Sequence, residues 1–237
     1  MNQRPGESRL ELLERNAAIF REVVPAVIEH VPDAILLVAT NPVDVMTHLA
    51  ATYAEQMGVP AHRVLGSGTL LDTARFRSLI GKHFNVDAQH VHGYVVGEHG
   101  DSEVLTWSVT RIAGIPLDRF ATPEVSTISA EHRRQIDANV RQAAQQIIAG
   151  KGATYYGIGS AITRIVDAIL HDQRAILCLC SRQTEVHGVR DVTLSWPTLI
   201  GGQGVEGTLP LDLTAEEQDA VQWSAKVLRS AIDSLEK

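Results

Sequence analysis

The chain is poor in the features that mark membrane, secreted and nucleic-acid-binding proteins. Its 237 residues include two cysteines, and 21 lysines and arginines stand against 28 acidic residues, a net charge of −7. No apolar run reaches the roughly 18 residues that a membrane helix needs, and the first residues lack the apolar core of a signal peptide. We therefore expect a cytoplasmic protein whose partners include neither nucleic acid nor membrane.

The two cysteines, Cys178 and Cys180, are two positions apart in an apolar segment. Alternate residues of a strand share one face, so this spacing suits packing in a core. The neighbouring sequence offers too few further ligands for a metal site. We expect both thiols to be buried and reduced, and no metal to be bound.

Apolar periodicity predicts an α/β fold in the first part of the chain and an α+β arrangement after Val86. The continuous apolar run at 34–39 is typical of a strand buried on both faces of a parallel sheet. The predicted elements are a helix beginning after Ser8, the strand at 34–39, a helix at 43–56, a strand at 63–66, a helix at 69–83, short strands within 90–109, helices at 130–149 and 161–170, antiparallel strands within 175–210 and a helix at 216–235.

One glycine-rich segment resembles a phosphate-binding loop. Residues 202–207 match G-x-G-x-x-G, but the fingerprint needs a helix directly after it, so that phosphate meets the helix N-terminus. A strand-like segment with Pro210 follows instead. The pattern therefore predicts a hairpin turn.

A loop histidine and a helical Asp–Arg pair are the residues with the most evident chemistry. His99 lies between glycines in GEHGDS (97–102) and titrates near neutrality, so it can exchange a proton at working pH. Asp72 and Arg75 are three apart on one helix face. Their simplest interpretation is an ion pair. In the functional interpretation, Asp72 accepts the Nδ1 proton of His99 and Arg75 holds a substrate carboxylate.

In this order, the motifs of the chain resemble those of the NAD-dependent L-lactate and malate dehydrogenases. The resemblance runs essentially end to end. The matching segments are NQRPGESRL (2–10), TNPVD (40–44), GSGT (66–69), LDTARFR (71–77), GEHGDS (97–102) and KGATYYGI (151–158).

The resemblance implies roles for single residues. It makes His99 the acid/base, Asp72 its orienting partner and Arg75 the ligand of the substrate carboxylate. Arg9 would close over the site on a mobile loop and polarise the reacting carbonyl. The other implied site residues are Asn41, beside the nicotinamide and the substrate oxygen, Thr154, in the substrate pocket, and Ile158, in the nicotinamide pocket.

The resemblance also implies the cofactor, NAD, and the domain organisation. Residues 1–66 would be the C-terminal remainder of a Rossmann-type, dinucleotide-binding domain, and 67–237 an α+β substrate domain with antiparallel strands. The family's first strand, glycine-rich loop and ribose-binding acidic residue have no counterpart in this sequence. We therefore expect an N-terminally truncated chain that binds NADH weakly and exposes the edge of the strand at 34–39.

Gln3 indicates the substrate. Malate dehydrogenases usually have arginine at the matching position, where it pairs with a second carboxylate. Glutamine leaves that charge unpaired, so lactate and pyruvate are favoured. Malate dehydrogenase or another 2-hydroxy-acid dehydrogenase stays open as an alternative, and an inactive assembly module is the alternative outside enzymes.

The resemblance bears on assembly and regulation as well. Family members are commonly homo-oligomers, tetramers among them. Bacterial lactate dehydrogenases that fructose 1,6-bisphosphate activates have an arginine and a histidine matching Arg77 and His92. The simpler interpretation makes Arg77 a solvated surface charge on another helix face and His92 a strand histidine.

We expect Gln3→Arg to move substrate preference from pyruvate toward oxaloacetate, because the new cation pairs with the second carboxylate. The gain corresponds to about 2 kcal/mol, or about thirtyfold in the ratio of kcat/KM values. Steady-state kinetics with both 2-oxo acids measure the ratio. Gln3→Glu is the control, and an unchanged ratio in Gln3→Arg would show that residue 3 does not choose the substrate.

Overall fold

A computed structural model of the chain describes residues 9–151 and 155–235. Gln3 and Thr154 lie outside these residues, and Arg9 is described only as the first residue of a helix. The helices are α1 (Arg9–His30), α2 (Val43–Gln56), α3 (Leu70–Phe84), α4 (Ala130–Lys151), α5 (Tyr156–Leu170) and α6 (Ala215–Leu235). The strands are β1 (Leu36–Val38), β2 (Val64–Gly66), β3 (Val91–His92), β4 (Val95–Val96), β5 (Val104–Leu105), β6 (Arg111–Ile112), β7 (Ile115–Pro116), β8 (Ala175–Val186), β9 (Val189–Gly201) and β10 (Gly204–Thr208).

A five-stranded sheet forms the frame, in the order β1-β2-β8-β9-β10. β1 and β2 are parallel, whereas β8, β9 and β10 run antiparallel to their neighbours. This confirms the predicted fold class, a parallel remainder followed by antiparallel strands. The sheet passes through both predicted domains, because Gly66 pairs with Cys180. The division at residue 66 stays a prediction.

The first strand is less buried than its sequence predicts. Leu36 and Leu37 are half-buried and only Val38 is buried. The reason is position, because β1 stands at the sheet edge and pairs with β2 alone among the described residues. The continuous apolar run therefore marks a strand with an uncovered edge, as expected for this segment.

Two predictions about local segments are confirmed. The glycine-rich segment is a hairpin, since β9 ends at Gly201, β10 begins at Gly204 and the next helix begins only at Ala215. Cys178 and Cys180 are free thiols in the core. Burial raises the pKa of Cys178 to about 11 and that of Cys180 well above its ordinary value.

Helices cover both faces of the sheet. Alternate residues of β8 point to opposite faces. On one face Cys180 joins a core formed with α2 and α6, through side chains such as Met46 and Ile232. On the other face Leu179 packs with Ile165 of α5. A separate core forms where Phe76 and Phe84 of α3 pack against α4 and the short strands. Among the described residues, no helix is both long and apolar enough to cross a membrane.

A histidine is buried between α2 and the sheet. His48 has no exposed surface, and its Nδ1 lies 3.0 Å from the hydroxyl of Thr193 in β9. Burial, together with the positive charge of Arg182, lowers the pKa of His48 to about 4. The folded protein therefore holds this imidazole neutral where an unfolded chain would protonate it.

This burial predicts an acid-sensitive fold. The unfolded state binds a proton at His48 below about pH 6.5 and the folded state only near pH 4, so stability falls as the pH drops through that window. We expect the wild type to lose up to about 3 kcal/mol more than His48→Gln between pH 7 and 4, measured by urea unfolding. The exposed His62→Gln should keep the wild-type dependence, and parallel curves for wild type and His48→Gln would contradict the assignment.

Candidate active site

One buried carboxylate joins the predicted catalytic residues. Asp72 lies in the first turn of α3, with 3% of its surface exposed. Its Oδ2 is 2.7 Å from Nδ1 of His99, and its Oδ1 accepts a hydrogen bond of 2.8 Å from Arg75. The ion pair and the orienting contact are thus not alternatives, because each uses a different oxygen. Asp72 fixes the imidazole and the guanidinium relative to one another.

A second buried carboxylate holds the backbone of the histidine. Oδ2 of Asp44, in the first turn of α2, accepts a 2.8 Å hydrogen bond from the backbone N–H of His99. Burial raises the pKa of Asp44 to about 7, although the His99 amide and the His99 charge oppose the rise. Its Oδ1 has no hydrogen-bond partner among the described residues. Two helix starts therefore fix the ring and the main chain of His99 separately.

The loop that carries His99 is tied to α6 and to the sheet. Gly97 exchanges two backbone hydrogen bonds of 2.9 Å with Ser195 of β9. The hydroxyl of Ser224, in α6, accepts from the backbone N–H of Glu98 at 2.8 Å. A Cβ on Gly97, whose φ is 88°, would lie 2.6 Å from that hydroxyl, so only glycine allows this approach. The Glu98 carboxylate accepts hydrogen bonds from the backbone N–H and from the hydroxyl of Ser102, which stabilises the loop.

The site favours a protonated histidine. Burial lowers the pKa of His99, but the hydrogen bond and charge of Asp72 raise it, with smaller contributions from Asp44 and Glu103, and the balance is about 9. The side chain keeps 29% of its surface exposed. His99 is therefore an accessible proton donor at neutral pH and becomes an acceptor as the pH approaches 9.

A cavity of about 600 Å³ opens beside His99 at the carboxyl end of β1. Its walls come from α1, the turn before α2, the histidine loop and the last turns of α6. Asn41, which follows β1 and forms a cis peptide bond with Pro42, lines it together with His99. The structure therefore brings two of the predicted site residues to one pocket.

Two family models together match nearly the whole chain. Residues 1–66 match the lactate/malate dehydrogenase NAD binding domain, and residues 69–237 match the lactate/malate dehydrogenase alpha/beta C-terminal domain. The chain belongs to the lactate/malate dehydrogenase family.

Relatives within the family are similar over nearly the whole chain. An L-lactate dehydrogenase of Geotalea daltonii is 54% identical over 235 residues, which are 99% of this chain and 75% of that protein. An L-lactate dehydrogenase of Thermus aquaticus is 50% identical over 98% of this chain and 74% of its own. The crystal structure of a minor L-lactate dehydrogenase from Enterococcus mundtii, in its ligands-bound form, aligns with a TM-score of 0.92 at 38% identity, over 99% of this chain and 74% of that one.

The cavity fits the reactive end of the family's cofactor. In open α/β sheets, ligands bind at the carboxyl ends of the strands, which is where Asn41 and the cavity lie. Leu13 and Val45 give it apolar walls, and Asn41 and His99 give it polar groups. This combination suits a nicotinamide ring, which presents an apolar face and a carboxamide.

The other predicted site residues either do not line the cavity or lie outside the described residues. Arg75 binds Oδ1 of Asp72 and does not line the cavity. Ile158 lies in the first turn of α5, which packs on α3, since a Cβ on Gly157 would lie 3.0 Å from Leu71. Gln3 and Thr154 lie outside the described residues, as does the side chain of Arg9.

Arg77 is a correction to the simpler interpretation of its sequence position. It is half-buried instead of solvated, because Nε donates to the carbonyl of Gly93 at 2.9 Å and the guanidinium lies 5.3 Å from the ring centroid of Tyr94. Strands β3 and β4 cover this face of α3, which a helix considered by itself does not reveal. His92 is exposed, as expected of a strand histidine at a surface.

The site residues predicted from the sequence do not include Asp44, Glu103 and Ser224. Asp44 had a signal, because it is a charged residue within the otherwise apolar start of a helix that is buried on most sides. Ser224 had none, because it reaches the loop from 126 residues away. Glu103 is buried beside Asp72 and His99. A carboxylate oxygen of each acid and a ring nitrogen of His99 lie within 4.8 Å of one another.

We expect Ser224→Ala to loosen the histidine loop. The Glu98 amide loses its acceptor, so its hydrogen exchange should become about fivefold faster, which corresponds to about 1 kcal/mol. Amide exchange followed by mass spectrometry or NMR measures this. Ser230→Ala, exposed on the same helix, is the matched control. Equal exchange in the two variants would show that α6 does not hold the loop.

Proposed function

We propose that the chain interconverts L-lactate and pyruvate with NAD as the redox partner. The observation that carries this is the 2.7 Å contact between His99 Nδ1 and Asp72 Oδ2, with Arg75 on the other oxygen of Asp72, in the order of motifs that the family shares. The names of the relatives support lactate as the substrate.

His99 acts as the acid and base. In lactate oxidation its neutral imidazole takes the proton of the C2 hydroxyl through Nε2, while Asp72 holds Nδ1 and stabilises the imidazolium that forms. The chemistry that NAD supplies when bound is acceptance of the hydride from C2, which leaves pyruvate. In the reverse direction, protonated His99 gives its proton to the carbonyl oxygen of pyruvate.

The remaining residues bind and orient the substrate. Arg75 holds the carboxylate of lactate, with Asp72 fixing its guanidinium from one side. Asn41 hydrogen-bonds at the reacting centre, and Arg9 covers the site and stabilises charge on the substrate oxygen. The proposed pocket residues are Thr154 for the substrate, Ile158 for the nicotinamide and Gln3 for selection against a second carboxylate. A malate-type substrate is the alternative that the Gln3→Arg test separates.

We propose a cytoplasmic homo-oligomer that fructose 1,6-bisphosphate activates. Arg77 bonds the carbonyl of Gly93, the residue after His92, and His92 pairs across strands with the exposed Arg111. Arg77 and Arg111 offer positive charge to a phosphate, and His92 offers a hydrogen-bond donor.

His99→Gln should lower kcat/KM for pyruvate reduction by about a thousandfold, because glutamine cannot donate a proton. His171→Gln, an exposed histidine that also contacts an aspartate, is the control and should keep the wild-type rate. In the wild type, pyruvate reduction should decline above about pH 9, and lactate oxidation should rise through the same range. Stopped-flow or steady-state absorbance of NADH measures both, and an active His99→Gln would refute the proposal.

Addition of fructose 1,6-bisphosphate should lower KM for pyruvate in the wild type and leave His92→Gln unchanged. His90→Gln, an exposed neighbour, serves as the control. Identical pyruvate saturation curves with and without the sugar bisphosphate would remove the regulatory proposal and leave the catalytic one intact.

A further inference from the structure

A buried carboxyl that the proposed chemistry does not use lies beside the catalytic pair. Glu103 immediately precedes β5, four residues after His99, and exposes only 4% of its surface. Its Oε1 has no hydrogen-bond partner among the described residues. Glutamate is rarely buried without a partner, because desolvation of the charge is costly. A side chain in this state calls for an explanation.

The surroundings of Glu103 give it an electrostatic contact with the catalytic pair. A carboxylate oxygen of Glu103, a carboxylate oxygen of Asp72 and a ring nitrogen of His99 all lie within 4.8 Å of one another. The two oxygens of Asp72 already bind His99 and Arg75. Glu103 therefore influences the pair through its charge when it is ionised, and that charge acts strongly in a site shielded from water.

Among the residues that the structure describes, the cation facing Glu103 is already bound to other groups. From α4, Arg141 faces it, but that guanidinium binds Asp137 at 2.5 Å and the carbonyl of Asp101 at 2.9 Å. Burial and then the charge of Asp72 raise the pKa of Glu103 to about 8, against smaller lowering contributions from Arg141 and His99.

On the α2 side, Asp44 completes the set of carboxyls around the histidine, since it binds the His99 amide and its charge favours the imidazolium. Asp44 accepts a hydrogen bond from the backbone N–H of His99 and Asp72 accepts one from its Nδ1, whereas Oε1 of Glu103 has no hydrogen-bond partner among the described residues. The contribution of Glu103 to the pKa of His99 can therefore be separated from those of Asp44 and Asp72 by a substitution that removes its charge.

We propose that Glu103 is a positioning residue that keeps the proton on His99 to higher pH than Asp72 and Asp44 achieve by themselves. The proposal rests on the function proposed above for its meaning in catalysis. Near neutrality the Glu103 carboxyl is protonated and adds no charge. As the pH rises and this carboxyl ionises, the carboxylate stabilises the imidazolium of His99. Pyruvate reduction, which needs that proton, consequently extends to more alkaline pH.

The test is an NMR titration of the His99 imidazole in the whole chain, without substrate or cofactor. His99→Gln assigns the signal by its disappearance. Glu103→Gln is close in shape to the protonated acid and removes the ionisable group, so the pKa of His99 should fall by about one unit. Glu131→Gln removes the same charge from an exposed position of α4 and should leave the titration unchanged.

Two results would overturn the proposal: an unshifted His99 titration in Glu103→Gln, or an equal shift in Glu131→Gln. Glu103→Met provides the same removal of charge if the glutamine variant does not fold, and Glu103→Asp should retain most of the wild-type titration. In kinetics, the alkaline limit of pyruvate reduction should move down by the same amount while KM at neutral pH stays constant. Because the titration needs no turnover, an inactive chain with the expected shift would refute the proposed function and not the coupling.

Discussion

The site depends on the two hydrogen bonds of one carboxylate, that of Asp72 in the first turn of α3. Placed there, it benefits from the positive end of the helix, and with 3% exposure it is shielded from competing water. One oxygen holds the imidazole of His99 and the other holds the guanidinium of Arg75. A proton-transfer group and an anion-binding group are therefore fixed to each other through the two carbon–oxygen bonds of one carboxylate. A carboxylate buried this way is stable only because both of its oxygens are bound.

The elements around Asp72 hold the loop at 97–102, which carries His99, close to this carboxylate. The sheet contributes Ser195, α2 contributes Asp44 and α6 contributes Ser224, and each binds a different backbone group of residues 97–99. The loop is thus held by its main chain, which leaves the side chain of His99 to face the cavity. Rigid support from three elements is what a proton-transfer residue requires, because small displacements of the reacting atoms are costly.

Burial of several ionisable groups gives the protein its pH dependence. Around His99, carboxyls raise the pKa of the imidazole, whereas at His48 burial and a nearby arginine lower it to about 4. The two histidines thus move in opposite directions within one chain. The difference follows from their neighbours, since His99 faces three carboxyls and His48 lies in a mostly apolar core between α2 and β9.

The sequence by itself determined the element types, the motif order and the residues Asp72, Arg75 and His99, because helical and strand periodicity and motif spacing are local properties. It also predicted the exposed edge at β1, although not how little of Leu36 and Leu37 would be buried there. Only the tertiary structure decided that Asp72 binds both partners at once, that Arg77 is covered by β3 and β4, and that Ser224 and Glu103 belong to the site. The physical reason is that hydrogen bonding and desolvation depend on neighbours far apart in the chain, such as Glu98 and Ser224, 126 residues apart, and no local pattern encodes which of them meet.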